Sequence, residues 1–263
     1  MFNNSKTISS TISSLKRQTF SDWECVITDD SKDDATYQVA IKSIADDPRF
    51  TLIKNPMRLG AAGNWNKTLT FANSEYFKLL CADDVLAPNA LEIQLAAISK
   101  NPDSVLCIGR RDITNSNGHV LIRNRGLRSR DSTMESKEAL RRFVRAGTNI
   151  FGEPSFALFR TQALKDVGGF SKDWNYLIDV VSYLDVLNLG SLVVVDANLG
   201  KFRVSSQSWS ASLTKRQYSE LLACINWATR LKYSAVSPLE NYLGKIKARI
   251  NTVARRLIFF FAS

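Results

Sequence analysis

Two adjacent aspartates close the run Tyr76-Phe-Lys-Leu-Leu-Cys-Ala-Asp83-Asp84-Val-Leu-Ala-Pro88, and a second pair, Asp29-Asp30, closes the apolar stretch that starts at Trp23. Five of the six residues from Tyr76 to Cys81 are apolar or aromatic, which predicts a strand buried on both faces of a mostly parallel sheet. Acids at the C-terminal ends of strands stand where open α/β sheets take their ligands. Neighbouring carboxylates repel, and a cation or a ribose hydroxyl would satisfy them; the competing reading is loop solvation plus an N-cap for a helix from Asn89. A third acid, Asp179 in Tyr176-Leu-Ile-Asp179, opens the apolar run 180–189, where an N-cap role is sufficient by itself. The conjunction points further. A metal-bound nucleoside diphosphate needs acids for the cation and for sugar or base hydroxyls, and a transferred group needs a separate base to activate its acceptor.

Other chemistries find little support. The four cysteines are far apart without a C-x-x-C pair, which reads as buried free thiols in a reducing compartment. The one histidine, His119, follows Asn117-Gly118 and reads as an exposed hairpin residue, which leaves a Ser-His-Asp or Cys-His mechanism almost no support. Gly60-Ala-Ala-Gly63 lacks the spacing of a phosphate loop, because Lys67-Thr68 follows too late, and no G-x-G-x-x-G occurs.

These residues need a scaffold. With 263 residues, 44% hydrophobic and 23% charged, the chain can bury a full core. Strand and helix alternate through the first hundred residues: helix from Ile8, strand at 23–28, helix from Asp33, strand at 50–54, helix at 60–72, strand at 76–81 and helix at 89–100. A hairpin about Asn117-Gly118, strands at 154–159, 192–195 and 201–204, and helices at 161–167 and 180–189 follow. The net charge of +10 calls for an anionic partner without choosing among nucleotide, lipid and nucleic acid. Nine arginines between Arg110 and Arg145 form a solvated face or a phosphate clamp. From Leu239 a basic amphipathic helix carries apolar residues 239, 243, 246, 250, 253 and 257 and ends in Leu257-Ile-Phe-Phe-Phe261. It suits an anionic bilayer surface or a coiled-coil seam. No membrane span or signal peptide is legible, so a cytoplasmic protein, peripheral on the inner face of the membrane, is expected.

The runs Gln18-Thr-Phe-Ser-Asp-Trp-Glu24, Val26-Ile-Thr-Asp29-Asp30-Ser31, Arg58-Leu-Gly-Ala-Ala-Gly-Asn64-Trp-Asn66, Leu80 to Pro88, Gly152-Glu-Pro-Ser155, Val167-Gly-Gly-Phe170 and Phe202-Arg203 resemble glycosyltransferase family 2, in order, over about four-fifths of the chain. The resemblance implies a GT-A fold: α/β, Rossmann-like, with a glycosyltransferase domain over 1–212 (nucleotide half about 1–100, acceptor half about 101–212) and a C-terminal helical extension over 213–263. It implies an inverting transfer of sugar from a nucleotide-sugar donor, UDP-linked, to an acceptor hydroxyl on a glycan or lipid-linked glycan in bacterial surface polysaccharide synthesis. By position, Phe2 would stack on the base, Asp30 recognise it, Asn64 lie beside the nucleotide, Asp83 face the ribose, Asp84 hold Mn²⁺ or Mg²⁺ directly, and Asp179 act as general base.

The sequence departs from the family pattern at four places. Cys81 stands where many relatives carry the first acid of D-x-D, Ile178 replaces a common Glu, and Ser205 replaces a common His. Met1-Phe2-Asn3-Asn4 resembles the turn after the family's first strand without that strand, so a version extended upstream is expected to be more stable and more active. These departures keep open a non-catalytic transferase-fold protein that binds nucleotide or an anionic membrane. Nucleic acid is not an expected partner, because the arginine-rich interval lacks interleaved aromatics for base stacking.

Overall fold

A computed structural model describes residues 1–129, 133–205, 213 and 216–262, with side chains as far as Ala254. Helix α1 (Ile8–Lys16) buries Ile8, Ile12 and Leu15 at the predicted spacing. Strand β1 (Cys25–Asp29) pairs in parallel with β2 (Phe50–Lys54), and α2 (Ala35–Ile44) makes the crossover between them. Then come α3 (Gly60–Leu69), β3 (Tyr76–Phe77), β4 (Val85–Leu86) and α4 (Ala90–Ser99).

The larger sheet is completed by β5 (Ser104–Thr114), β6 (Val120–Arg125), β7 (Thr133–Met134), β8 (Ala157–Arg160) and β9 (Ser191–Arg203). Its order is β3-β8-β5-β9-β4, with β6 on β5 and β7 on β9. Only β5 and β9 run parallel there; the other pairings are antiparallel. The sheet is therefore mixed where a mostly parallel one was expected, because short return strands occupy its edges. The β5–β6 hairpin turns as the sequence implies: Gly118 takes φ 82°, Asn115 Oδ1 accepts from the backbone of Asn117 and His119, and His119 is exposed.

Two strands expected at 192–195 and 201–204 are one, β9. Gly200 makes that continuity possible, for a Cβ there would lie 2.1 Å from the carbonyl oxygen of Val85 on β4. Helices α5 (Ser136–Ala146), α6 (Thr161–Asp166), α7 (Ile178–Val186) and α8 (Gln217–Ala228) enclose the main core, in which Phe143, Phe159, Phe170 and Tyr183 are fully buried.

The run from Tyr76 to Cys81 is strand-paired only over β3. Beyond it the chain faces β1 across a cavity of about 1710 Å³, lined by Ile12, Ile27, Phe50, Leu79 and Leu86 among others. Met1 closes one end of that cleft. Its ammonium donates to Thr28 O (2.6 Å) and its carbonyl accepts from Asp30 N (2.9 Å), a single rung of parallel pairing. Burial holds this ammonium below its usual pKa.

The last helix, α9 (Pro238–Ala262), starts with a capping box: Glu240 Oε2 accepts from Ser237 N and Ser237 Oγ from Glu240 N. It lies on α5 through backbone contact, since a Cβ on Gly244 would sit 2.1 Å from Val144 O and one on Gly147 2.5 Å from Gly244 O. Arg141 Nε donates to Glu240 Oε1 (2.6 Å), and Asn251 Nδ2 donates to Ala146 O and Gly147 O. Gly244→Val should force α9 off α5, lowering stability by about 2 kcal/mol or more. Limited proteolysis should then cut 238–262 faster than wild type while the rest of the chain resists as before. The expected boundary at Ser212 and the side chains of Leu257 to Phe261 lie outside the described residues.

Candidate functional site

Asp29 is the last residue of β1 and Asp30 follows it, both buried, while Asp83 and Asp84 stand in the turn just before β4. Asp30 Oδ1 accepts from Leu59 N (2.7 Å) and Asn55 Nδ2 (3.0 Å), and its Oδ2 accepts from Gly60 N (2.9 Å). Asn64 joins the same cluster: its Oδ1 accepts from Asn55 Nδ2 (2.8 Å) and its Nδ2 donates to Thr28 O (3.3 Å). Asp30 thus pins the start of α3, where the helix dipole favours a negative charge, and keeps lone-pair capacity for one further donor. Asn66 turns away from this cluster, its side chain bonding both backbone groups of Phe170.

Phe2 is 37% exposed at the mouth of the cleft, with the Arg58 guanidinium 4.4 Å from its ring centroid. Phe2, Asp30, Asn64 and Asp83 all line the cavity of about 1710 Å³, together with Arg58, Arg203 and Ser205. Four of the six expected site residues are therefore brought together, and Asp84 and Asp179 are not among the residues lining that cavity.

Asp84, expected as the direct metal ligand, is fully buried, and each of its oxygens accepts one hydrogen bond from the protein. Oδ2 accepts from Ser155 Oγ (2.6 Å) and Oδ1 from Arg203 N (3.1 Å). The physical reason is the turn itself: Asp84 lies between Ser155 and β9 and closes the protein around it. Asp83 projects into the cavity, while Arg203 Nε donates to its backbone carbonyl (3.2 Å). Burial raises the pKa of Asp83; burial and then the adjacent Asp83 charge raise that of Asp84. The Arg203 guanidinium and the Met1 ammonium oppose the rise at Asp83. Among the described residues no three His, Cys, Asp or Glu side chains gather as a ready metal cage. One carboxylate on Asp83, completed by a diphosphate and water, fits the habit of Mg²⁺ and its like, which take one or two protein carboxylates plus phosphate oxygens.

Asp179 sits in the first turn of α7, walled in by that helix and the loop 149–153. Asn149 Nδ2 donates to Asp179 Oδ2 (3.2 Å) and to Gly152 O (3.1 Å). Asn149 Oδ1 in turn accepts from Phe151 N and Gly152 N, which makes the loop rigid. Burial pushes the Asp179 carboxyl up to about 7; Glu153 adds to the rise, while a hydrogen bond from the backbone of Val180 and the charge of Arg111 oppose it.

The segment from Asn149 to Ser155 links the two acid sites. At one end Asn149 holds Asp179; at the other, Ser155 Oγ donates to Asp84 and accepts from Cys81 N (2.9 Å). Between them Glu153 takes Arg111 in a two-pronged pair, Nε to Oε2 at 2.5 Å and Nη2 to Oε1 at 2.8 Å. Sequence reasoning marked Gly152-Glu-Pro-Ser155 and Phe202-Arg203 without giving them work. Asn149 and Arg111 carried no signal, because only the folded loop brings them to Asp179. Several arginines of the basic interval also form ion pairs within the chain: Arg110 pairs with Asp196, and the partly exposed Arg141 and Arg142 pair with Glu240 and Glu138. Arg130 lies outside the described residues. All four cysteines are free thiols, and among the described residues no helix is long and apolar enough to cross a membrane.

Comparison with known proteins agrees with this architecture. The model of glycosyl transferase family 2 matches residues 1–168. Uncharacterized protein MT1568 of Mycobacterium tuberculosis is 27% identical over 238 residues, 86% of this chain and 73% of that protein. The Escherichia coli UDP-Glc:alpha-D-GlcNAc-diphosphoundecaprenol beta-1,3-glucosyltransferase WfgD is 36% identical over 120 residues, 45% of this chain and 46% of its own, so the match spans under half of either protein. Among solved structures, Staphylococcus aureus TarS 1-349 in complex with UDP-GlcNAc superposes with a TM-score of 0.67 at 17% identity, covering 95% of this chain and 69% of that one. The Pyrobaculum calidifontis mannosyltransferase PcManGT, in complex with GDP-Man and Mn²⁺, gives 0.66 at 18% identity, covering 98% and 72%. The fold is that of the GT-A glycosyltransferases, and the chain belongs to glycosyltransferase family 2.

Proposed function

We propose that this glycosyltransferase moves a sugar from a UDP-linked donor to an acceptor hydroxyl with inversion, the acceptor being a lipid-linked glycan presented at the inner membrane surface. The observation that carries the reading is the pairing of two differently built acid sites by one loop. Asp83 lines the cleft with Phe2, Asp30 and Asn64, and Asp179 is buried and held by Asn149. UDP is favoured by the TarS complex and by the name of WfgD, and the lipid-linked acceptor by the latter.

In this reading Phe2 stacks on the base, Asp30 offers its remaining lone pair to the base edge, and Asn64 keeps the loop that frames them. The metal contact passes from Asp84 to Asp83, and Asp84 instead fixes the turn that aims Asp83. Mn²⁺ or Mg²⁺ on Asp83 supplies charge neutralisation for the departing diphosphate. Asp179 Oδ takes the acceptor hydroxyl proton as that oxygen forms its bond to the anomeric carbon and the bond to the diphosphate oxygen breaks on the opposite face. A carboxyl raised to about 7 is a base strong enough for this work near neutral pH.

The test is a thermal-shift panel of UDP- and GDP-sugars with and without Mn²⁺, followed by UDP release with diphosphate-lipid-linked acceptors. A donor at about a hundredfold its Kd should add roughly 2.7 kcal/mol of stability. A Mn²⁺-dependent shift with UDP-sugars alone is the expected result; a shift with GDP-sugars would replace the donor, and none with any nucleotide would end the transferase reading.

A further inference from the structure

Helix α9 divides into two faces. Inward, Gly244, Ala248, Asn251 and Thr252 meet α5 or are buried. Outward, Leu239, Tyr242, Leu243, Ile246, Ile250 and Val253 are all exposed, Leu239 by 65% and Ile250 by 63%. At 3.6 residues per turn these six fall within an arc of about 100°, opposite the packed face. Lys247 borders one side of the stripe and Lys245 and Arg249 the other, and from Asn241 to Ala254 the helix carries no acid. A continuous apolar stripe of this length on a surface helix marks an interaction site.

We propose that this face of α9 lies flat on an anionic lipid bilayer, the six apolar side chains entering the acyl boundary and Lys245, Lys247 and Arg249 meeting the headgroups. Charge decides the occupant. A second copy seated on the same stripe would bring together the basic borders of two helices whose one acid, Glu240, is already paired with Arg141, and a helical seam normally places opposite charges there. Bilayers rich in anionic lipid meet the same borders with complementary charge, and lysines and arginines beside an apolar stripe are the mark of interfacial helices.

The docked helix is joined to the acid site by few links. Asn251 holds the end of α5 at Ala146 and Gly147, and two residues later Asn149 bonds Asp179. The docking itself needs no donor, so it stands or falls separately from the transferase reading.

Sedimentation of the full chain with vesicles tests this, using phosphatidylcholine alone and phosphatidylcholine mixed with phosphatidylglycerol. Wild type should bind the anionic vesicles and release with rising salt. Ile246→Glu with Ile250→Glu should weaken partition about tenfold or more at unchanged melting temperature, since both positions are exposed. Lys245→Glu with Lys247→Glu should weaken binding to the anionic vesicles only. Binding that ignores both double variants, or that is equal on neutral vesicles, overturns the proposal. So does a concentration-dependent dimer, abolished by the isoleucine pair, without vesicle binding. A UDP-sugar thermal shift that persists in both variants would keep the transferase reading intact whichever way the vesicles answer.

Discussion

Asp179→Asn should abolish sugar transfer while leaving donor binding within about twofold, and should leave the folded protein at least as stable as wild type above pH 7. The first outcome follows if Asp179 is the base, because Asn accepts no proton; the second follows from the energetics of the site. Burial raises the carboxyl from 3.8 to about 7, so the folded state holds its proton more tightly than the unfolded one. The associated stability is fully present below pH 3.8 and is lost as pH rises through about 7. Across that window the ionised carboxylate costs roughly 4 kcal/mol, of which a neutral Asn recovers a part. Melting curves of wild type and variant should thus converge near pH 4 and separate toward pH 8, with the variant on top. Wild-type kcat/KM should rise with pH along a limb centred near 7. A variant that melts lower at every pH, or that loses donor binding, would make Asp179 a structural residue instead.

How much of this was legible from residues alone differs between the two acid sites. The donor cleft is built from local signals: apolar strands ending on acids and a small-residue loop opening a helix. β1, β2, α1 and α4 consequently fall within a few residues of their expected places. The strand expected over 76–81 is paired only at Tyr76 and Phe77, since pairing is a property of neighbours and the chain faces a cleft beyond them. Helix α8 lies within the helical extension expected over 213–263, and its buried Leu221, Cys224, Ile225 and Ala228 recur at helical spacing, a signal that was not drawn as a separate element. The Ser237-Pro-Leu-Glu240 box was readable and marks the start of α9 to the residue.

Site roles were harder than site positions. Adjacent carboxylates look alike in sequence, yet in the turn before β4 one of the pair lines the cleft and the other is fully buried against Ser155 and Arg203. That is the arrangement of Asp83 and Asp84, and a resemblance read along the chain does not contain it. The loop from Asn149 to Ser155 shows the same limit, because its contacts with Asp179, Arg111 and Asp84 join segments separated by 30, 42 and 71 positions. Long-range polar contacts of this kind leave no periodic trace.

The two neighbours should separate cleanly when each is altered. Asp83→Asn should leave the melting temperature of the free protein unchanged or slightly raised, because it removes a carboxylate whose ionised form burial disfavours. It should remove the Mn²⁺-dependent part of UDP-sugar binding, weakening the donor about a hundredfold in the presence of metal and little in its absence. Asp84→Ala should behave in the opposite order. It strands the Ser155 hydroxyl and the Arg203 amide without their acceptor in a fully buried turn, a loss of about 2–4 kcal/mol visible in denaturant melts. Because Ser155 also accepts from Cys81 N, the turn that aims Asp83 loosens with it, and donor affinity falls as a consequence of stability. Asp84→Asn keeps an acceptor for one of the two donors and should recover part of the stability. The discriminating observation is metal titration at matched folded fraction. Asp84→Ala that is as stable as wild type but blind to Mn²⁺ would return the direct contact to Asp84, whereas retained Mn²⁺ response in the folded fraction leaves that contact with Asp83.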